Sequence, residues 1–182
     1  MTAYNAPIRD MLFAMKEVGG LSTIFALPGN EEMGDELVGA ILEEAGKFAG
    51  NVLAPLNHSA DRQGCRWSNG VVTTPDGIKE AYLAFRENGW NAMPAEIEHG
   101  GQGLPALVST PVLEMWKASN MAFSLCQMLT LGAVSAIAHH GTEEQKATYL
   151  PRMVEGAWTG TMNLTEPQAG SDLAAVRTRA EP

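Results

Sequence analysis

The stretch from Ala106 to His140 constrains the fold most, because it is the most strongly apolar part of the sequence. Its pattern predicts one helix that is kinked at Pro111, followed by a second helix that is buried. The apolar positions that define the second helix are Leu129, Val134 and Ile137. Gly141 is expected to end it. The stretch therefore predicts the centre of a helical domain.

Two helices are predicted in the first 55 residues. The first begins at Pro7, where the missing N–H of proline has no cost, and ends at Gly19-Gly20. Its apolar residues recur at helical spacing, at Ile8, Met11, Leu12, Met15 and Val18. The second helix is capped by Asn30 and is kinked or ended by Pro55. Its predicted apolar stripe is Met33, Leu37, Ile41, Phe48 and Val52.

Two more helices complete the predicted helical region. Residues 61–74 are polar and turn-rich, and Thr74-Pro75 then supplies a cap and a first helical position. This helix is expected to carry Ile78, Ala81, Tyr82 and Phe85. Gly89 is its predicted left-handed stop. A capping box of Thr142 and Gln145 opens the last helix. Its predicted buried residues are Tyr149, Leu150 and Met153.

The period of the sequence changes at Ala157, and the new pattern is that of a strand. Threonine and asparagine alternate there with Trp158, Gly160, Met162 and Leu164. A turn over residues 166–172 precedes a β-like piece around Val176 and Thr178. A single strand with unpaired ladder groups cannot complete a domain. We therefore expect the protein to continue beyond these residues.

Charge and composition disfavour several classes of partner. The net charge is −9, and no run of basic residues occurs. Nucleic acids and anionic membrane surfaces are therefore not expected as partners, because both are bound through Lys and Arg. Cys65 and Cys126 form no CxxC pattern, and no metal site is predicted. No signal peptide is recognised and no apolar run of about 20 residues predicts a membrane span, so a cytoplasmic location is expected.

The segment Met162–Asp172 contains the pattern with the clearest chemical meaning. A strand runs out into a loop with two hydroxyls, on Thr165 and Ser171, and with free backbone N–H groups around Gly170. Such a loop can donate hydrogen bonds to a polar ring edge and to phosphate oxygens. The residues alone equally allow an ordinary turn before a helix that is capped by Ser171 or Asp172.

The string LTEPQAGSD within this segment resembles the LTEPxAGSD signature of the acyl-CoA dehydrogenase family. The preceding GTEEQKATYLPRMVEGAWTGTM resembles the family's helix and lead-in, and PAEIEHGGQGLP resembles its Gly-rich loop. The opening YNAPIRDMLFAMKEV is similar to the amino-terminal extension of the long-chain and 3-methylmercaptopropionyl-CoA dehydrogenase subgroup. The resemblance implies a mainly α fold, with an extension over residues 1–33 and a helical domain over 34–155. Residues 156–182 would begin a middle β-domain.

The resemblance also implies FAD as cofactor and assigns residues to it. Thr165 matches the residue whose hydroxyl bonds the flavin, and Met162 and Leu164 match positions against the ring system. Gly170 and Ser171 match the pair at the FAD pyrophosphate, and the serine position also contacts the acyl-CoA substrate. Gln168 departs from the small residue that is common there, outside the matched contacts.

The activity implied is α,β-dehydrogenation of an acyl-CoA thioester to a trans-2-enoyl-CoA. The catalytic base is expected in a later part of the protein, so neither Glu114 nor Glu166 is assigned that role, and these residues alone are expected to be inactive. The family implies an electron-transfer flavoprotein as electron acceptor and a homo-oligomeric assembly. Two alternatives are left open: an acyl-CoA oxidase or flavin monooxygenase of the same fold, and a non-catalytic helical interaction module.

Overall fold

The computed structural model describes residues 3–181 and confirms the mainly α-helical fold. Its α-helices are α1 (Ile8–Phe13), α2 (Leu21–Phe25), α3 (Asp35–Phe48), α4 (Ala54–Gln63), α5 (Ile78–Glu87), α6 (Ala106–Ser119), α7 (Met121–His140) and α8 (Glu143–Val154). π-Helical segments continue α1 and α3, over Ala14–Val18 and Ala49–Leu53. Short 3₁₀ turns cover Ile97–His99 and Leu173–Ala175. The strands β1 (Arg66–Ser68) and β2 (Val71–Thr73) pair antiparallel.

Trp116 of α6 lies at the centre of the main core. Its ring is fully buried and makes edge contacts with Phe48, Phe85 and Trp90, at centroid distances of 5.6, 5.8 and 5.3 Å. Edge-to-face geometry of this kind adds about 0.5–1.5 kcal/mol per pair beyond area burial. These contacts join α3, α5, α6 and the loop after α5 into one bundle.

A second, smaller core lies between α7 and α8. It contains Val134 of α7 and the buried residues Leu150, Met153 and Val154 of α8, with Ala95 from the Gly-rich loop. The predicted capping box at the start of α8 is confirmed, because Thr142 and Gln145 bond each other's backbone N–H reciprocally. Tyr149 is the exception to the predicted buried set, since it is exposed.

The amino-terminal helix is confirmed, but its buried face is narrower than predicted. Met11 and Met15 are buried, whereas Val18 is 82% exposed. Pro7, the predicted first helical residue, lies at the N-cap, so the helix begins one residue later than predicted, at Ile8. Gly20 adopts a left-handed conformation, φ 68°, and the short helix α2, which was not predicted, follows it directly.

Helix α3 differs from the prediction in its start, its face and its end. Asn30 does not cap it; its side chain donates to the carbonyl of Ile24, and α3 begins at Asp35. The predicted stripe member Leu37 is exposed, and the buried residues of α3 are Val38, Leu42, Ala45 and Phe48. The chain stays helical through Pro55, because the wider π-helical turn before it accommodates the missing hydrogen bond.

The polar stretch 61–74 is more ordered than predicted. It contains the end of α4 and the β1–β2 hairpin, whose turn is Asn69-Gly70 with φ values of 50° and 80°. Positive φ at both central residues is the geometry that matches the twist of a two-residue hairpin, and Asn-Gly is its preferred sequence. Helix α5 begins at Ile78 and not at Thr74-Pro75, while Gly89 after it is left-handed as predicted, φ 74°.

Helix α7 buries a partly polar face. Ser124, Gln127 and Thr130 are buried with Phe123 and Val134, and Leu125 and Met128 are exposed. By length and composition alone α7 could cross a bilayer, contrary to the sequence expectation that no such segment occurs. Length and composition are weak grounds for a membrane span, because central helices of helical domains share these properties.

Candidate functional site

The candidate site begins where α8 ends, and three side chains of the α5 region hold that end in place. Tyr82 donates a hydrogen bond to the Gly156 carbonyl at 2.9 Å, and Arg86 forms a 2.9 Å ion pair with Glu155. The amide of the buried Asn91 donates to the last carbonyls of α8, those of Met153 and Val154, at 2.8 and 2.9 Å. Helix carbonyls at this end have no partner within the helix. The following segment therefore starts from a fixed point.

The segment after Ala157 then crosses α7. The Gly160 N–H donates to the Thr130 hydroxyl at 3.1 Å, and that hydroxyl donates to the Cys126 carbonyl at 2.7 Å. A Cβ at Gly160 would lie 2.6 Å from the Cβ of Ala133, so only glycine allows this approach. The buried Thr130 hydroxyl thus has both a donor and an acceptor partner, and the donor is the Gly160 N–H of this segment.

The strand predicted from Ala157 onward is wrong as secondary structure. Residues 157–165 and those around Val176 and Thr178 are not assigned to any strand. Strand periodicity of the side chains is not sufficient, because a strand forms only when a neighbour completes its hydrogen-bonded ladder. Within residues 3–181, the segment pairs with no other strand. The assignment of residues 156–182 to a β-domain stays a prediction.

A tight turn follows the extended segment. Glu166 and Ala169 exchange backbone hydrogen bonds of 2.9 and 3.1 Å across Pro167-Gln168. Ala169 is 1% exposed, in contrast to its exposed neighbours Gln168 and Gly170. Asp172, and not Ser171, then caps the 3₁₀ turn at Leu173, because its carboxylate accepts from the Ala174 N–H at 3.1 Å. The turn-and-cap interpretation is therefore correct for this backbone, with Asp172 as the cap.

The carboxylate of Glu166 holds this loop together. It accepts hydrogen bonds from the Thr178 N–H at 2.8 Å, the Thr178 hydroxyl at 2.5 Å and the Arg177 N–H at 3.0 Å, and also from the Gln168 amide. Hydrogen bonds from the Thr178 hydroxyl and then from the Arg177 and Thr178 N–H groups lower the pKa of Glu166 to about 2. A carboxylate with that pKa is a poor proton acceptor at neutral pH.

The five residues predicted to contact a cofactor lie along one exposed stretch, on both sides of the turn. Met162 and Leu164 are 63% and 43% exposed, and Thr165, Gly170 and Ser171 are exposed as well. Among residues 3–181, no hydrogen-bond partner is found for the hydroxyls of Thr165 and Ser171. A Cβ at Gly170 would meet nothing within 4 Å. Free donors, apolar side chains and open space fit a ligand with a flat ring and phosphates.

The Gly-rich loop precedes α6 in the sequence, and its backbone is closely packed. The Gly101 N–H donates to the Glu96 carbonyl, and a Cβ at Gly101 would lie 2.0 Å from the Ala95 oxygen. His99 Nε2 lies 3.6 Å from a Glu96 oxygen and 3.4 Å from a Glu98 oxygen. These contacts make the loop a structural support of the second core, through Ala95.

Comparison with known proteins identifies close relatives. The family model "Acyl-CoA dehydrogenase, N-terminal domain" matches residues 36–157. The 3-methylmercaptopropionyl-CoA dehydrogenase of Ruegeria pomeroyi is 44% identical over 98% of this chain and 30% of that protein. The structure of butyryl-CoA dehydrogenase from Megasphaera elsdenii has a TM-score of 0.64 at 25% identity, over 80% of this chain and 36% of that one.

A further solved structure is similar in fold. It is an acyl-CoA dehydrogenase from Bacillus anthracis complexed with FAD, with a TM-score of 0.64 at 23% identity, over 80% of this chain and 23% of that one. The chain spans about 30% of the length of the curated relatives that it matches. The predicted resemblance is confirmed, whereas the five contact residues and the boundaries at 34 and 155 stay predictions.

Proposed function

The chain belongs to the acyl-CoA dehydrogenase family, and we propose that it forms part of an FAD-dependent enzyme that converts an acyl-CoA thioester to a trans-2-enoyl-CoA. The exposed stretch from Met162 to Ser171 is the observation on which the proposal depends. It presents two exposed hydroxyls, on Thr165 and Ser171, and an open glycine, at the end of a segment that is anchored on α7 and α8. An FAD-complexed relative of the same fold supports the choice of cofactor.

Each part of the stretch has a distinct proposed role. The Thr165 hydroxyl would donate to the polar edge of the flavin ring, while Met162 and Leu164 would cover the ring with apolar surface. The backbone at Gly170 can approach phosphate oxygens closely, and the Ser171 hydroxyl would donate to the pyrophosphate and to the acyl-CoA. Bound FAD would supply the oxidation itself, by accepting a hydride from the substrate's β-carbon.

We assign no catalytic base to these residues. Both oxygens of Glu166 are occupied by hydrogen bonds, and Glu114 is exposed on α6. Because the chain spans about 30% of its relatives, we propose that a complete protein supplies the base and the rest of the flavin site from outside these residues. The 182 residues alone are expected to bind FAD weakly and to show no turnover.

The proposed partners follow from family membership. An acyl-CoA is the substrate class, and an electron-transfer flavoprotein is the proposed electron acceptor. Homo-oligomeric assembly and a cytoplasmic location are proposed as well. The acidic net charge of −9 gives no support to a nucleic-acid partner.

The proposal is tested by replacing Thr165 with valine in the complete protein and titrating FAD. Loss of one neutral hydrogen bond of about 0.5–1.5 kcal/mol should weaken FAD binding by about twofold to tenfold. Thr161→Val is the matched control, because Thr161 is exposed on the same segment and has no predicted flavin contact. Equal FAD affinity in the two variants would remove Thr165 from the site.

A further inference from the structure

Glu166 occupies a particular place in the site, between the two groups of residues proposed to hold the cofactor. Thr165 immediately precedes it, and Gly170-Ser171 follow it after the turn that Glu166 and Ala169 form. The orientation of one group relative to the other therefore depends on the backbone around Glu166. The inference below rests on the proposed function, because it concerns how this chain orients those groups.

The loop from residue 166 to residue 178 has no strand pairing, and the Glu166 side chain supplies hydrogen bonds across it instead. One oxygen of Glu166 accepts from the Thr178 N–H and hydroxyl, and the other accepts from the Arg177 N–H and the Gln168 amide. The partners at Arg177 and Thr178 are 11 and 12 residues away. The carboxylate thus closes the loop from residue 166 to residue 178 at its base.

Other bonds within the loop are consistent with one closed unit. The Gln168 amide also approaches the Ala175 carbonyl, at 3.4 Å, and Asp172 caps the 3₁₀ turn in between. Gln168 is the position that departs from the family pattern, and its side chain bonds the same carboxylate. Hydrogen bonds to a charged acceptor are about twice as strong as neutral ones. The Glu166 bonds are therefore the strongest constraints on the loop.

We propose that Glu166 is a positioning residue of the cofactor site, which sets the geometry of Thr165 relative to Gly170-Ser171 by binding Arg177 and Thr178. It acts through these neighbours and does not itself contact the flavin or exchange a proton with substrate. A loop without this closure would retain its donors but would have to be ordered by the ligand, and ordering a free segment lowers affinity.

The test compares Glu166→Gln with wild type in the complete protein. Glutamine keeps the shape of the side chain, but one carboxylate oxygen becomes an NH₂ group. This group cannot accept a hydrogen bond from Arg177 or Thr178. We expect amide hydrogen exchange at Arg177 and Thr178 to speed up in the cofactor-free protein, because their N–H groups lose the carboxylate acceptor. FAD binding should weaken by about twofold to fivefold, since the carboxylate is exposed and water replaces part of the lost bonding. Glu144→Gln, at an exposed position of α8, is the matched control and should change neither quantity.

Thr178→Val is a second variant that keeps the backbone donors and removes only the hydroxyl. It should also speed up amide exchange and weaken FAD binding, but by less than Glu166→Gln does. In a double-mutant cycle, Glu166→Gln should weaken FAD binding less in a Thr165→Val background than in wild type, because the positioning effect acts partly through Thr165. Additive effects of the two substitutions would contradict the proposal.

The outcomes separate this inference from the proposed function. If wild type fails to bind FAD, the proposed function is wrong, whatever exchange is measured at Arg177. If wild type binds FAD and Glu166→Gln binds it equally well, the function stands and the positioning role is wrong. Unchanged amide exchange in Glu166→Gln would also overturn the inference, since the closure would then not depend on the carboxylate.

Discussion

The hydroxyl of Tyr82 donates a 2.9 Å hydrogen bond to the carbonyl of Gly156, 74 residues further along the chain. Tyr82 belongs to α5, and Gly156 is the residue at which α8 gives way to the segment of the candidate site. Gly156 has φ 80°, and a Cβ there would lie 2.9 Å from Arg86. The bond therefore connects the main core to the point from which the site departs.

Tyr82→Phe should destabilise the fold by about 1–2 kcal/mol, because it leaves the buried Gly156 carbonyl without its partner. The free energy of unfolding from a urea or thermal series measures this loss. Tyr149→Phe is the matched control: Tyr149 is exposed and packs on Trp158 through its ring alone. Its change should stay within about 0.5 kcal/mol. Equal effects of the two substitutions would contradict the assigned role of the hydroxyl.

The same tyrosine predicts a pH dependence. Burial, and then the nearby Cys126 thiolate, raise the pKa of Tyr82 from 10.0 to about 12. The folded state thus holds the proton more tightly than the unfolded state, so this contribution to stability is complete below pH 10 and is lost as pH rises toward 12. Between pH 9 and pH 11, the free energy of unfolding should fall more for wild type than for Tyr82→Phe. Parallel declines would mean that Tyr82 is not the group responsible.

Gly101→Ala should be among the most damaging small substitutions in the helical region. The new Cβ would lie 2.0 Å from the Ala95 carbonyl oxygen, so backbone would have to move. We expect a loss of about 3 kcal/mol or more in unfolding free energy. Gly39→Ala in α3 is the control, because its Cβ meets nothing within 4 Å. It should stabilise the helix by about 0.5–1 kcal/mol. A mild effect at Gly101 would contradict the close packing of the Gly-rich loop.

Gly50→Ala should release the amino-terminal segment without unfolding the bundle. A Cβ at Gly50 would lie 2.8 Å from the Tyr4 carbonyl oxygen, and one at Gly46 would lie 3.1 Å from the Ala6 Cβ. Limited proteolysis near Tyr4 and Ala6 should increase in Gly50→Ala, while the midpoint of global unfolding changes little. Gly39→Ala again serves as control. An unchanged rate of cleavage near Tyr4 would show that the segment does not pack against Gly46 and Gly50.

Features that depend on residues close in sequence could be predicted. The capping box of Thr142 and Gln145 needs only a three-residue spacing, and the left-handed stop at Gly89 needs only a glycine after an apolar helical pattern. The Asn69-Gly70 hairpin has a local signal of the same kind. It was missed because the flanking strands are short and exposed, so no alternation of buried residues marks them.

Features that depend on partners distant in sequence could not be predicted. The buried face of α7 includes Gln127 and Thr130, because the Trp90 carbonyl and the Gly160 N–H meet them from other elements. Periodicity alone favours the apolar residues of the same helix. The role of Glu166 was missed for a related reason, since nothing in the sequence identifies Thr178 as its partner. The predicted cofactor contacts came from resemblance to a family motif, and the structure adds their exposure and their anchoring.

The visible absorption spectrum of the complete protein, purified and then mixed anaerobically with acyl-CoAs of several chain lengths, tests the proposed activity. We expect a flavin spectrum that bleaches with one class of chain length, since the substrate would reduce the bound cofactor. A colourless protein that cannot be reconstituted with FAD would rule out this activity and favour a non-catalytic helical module.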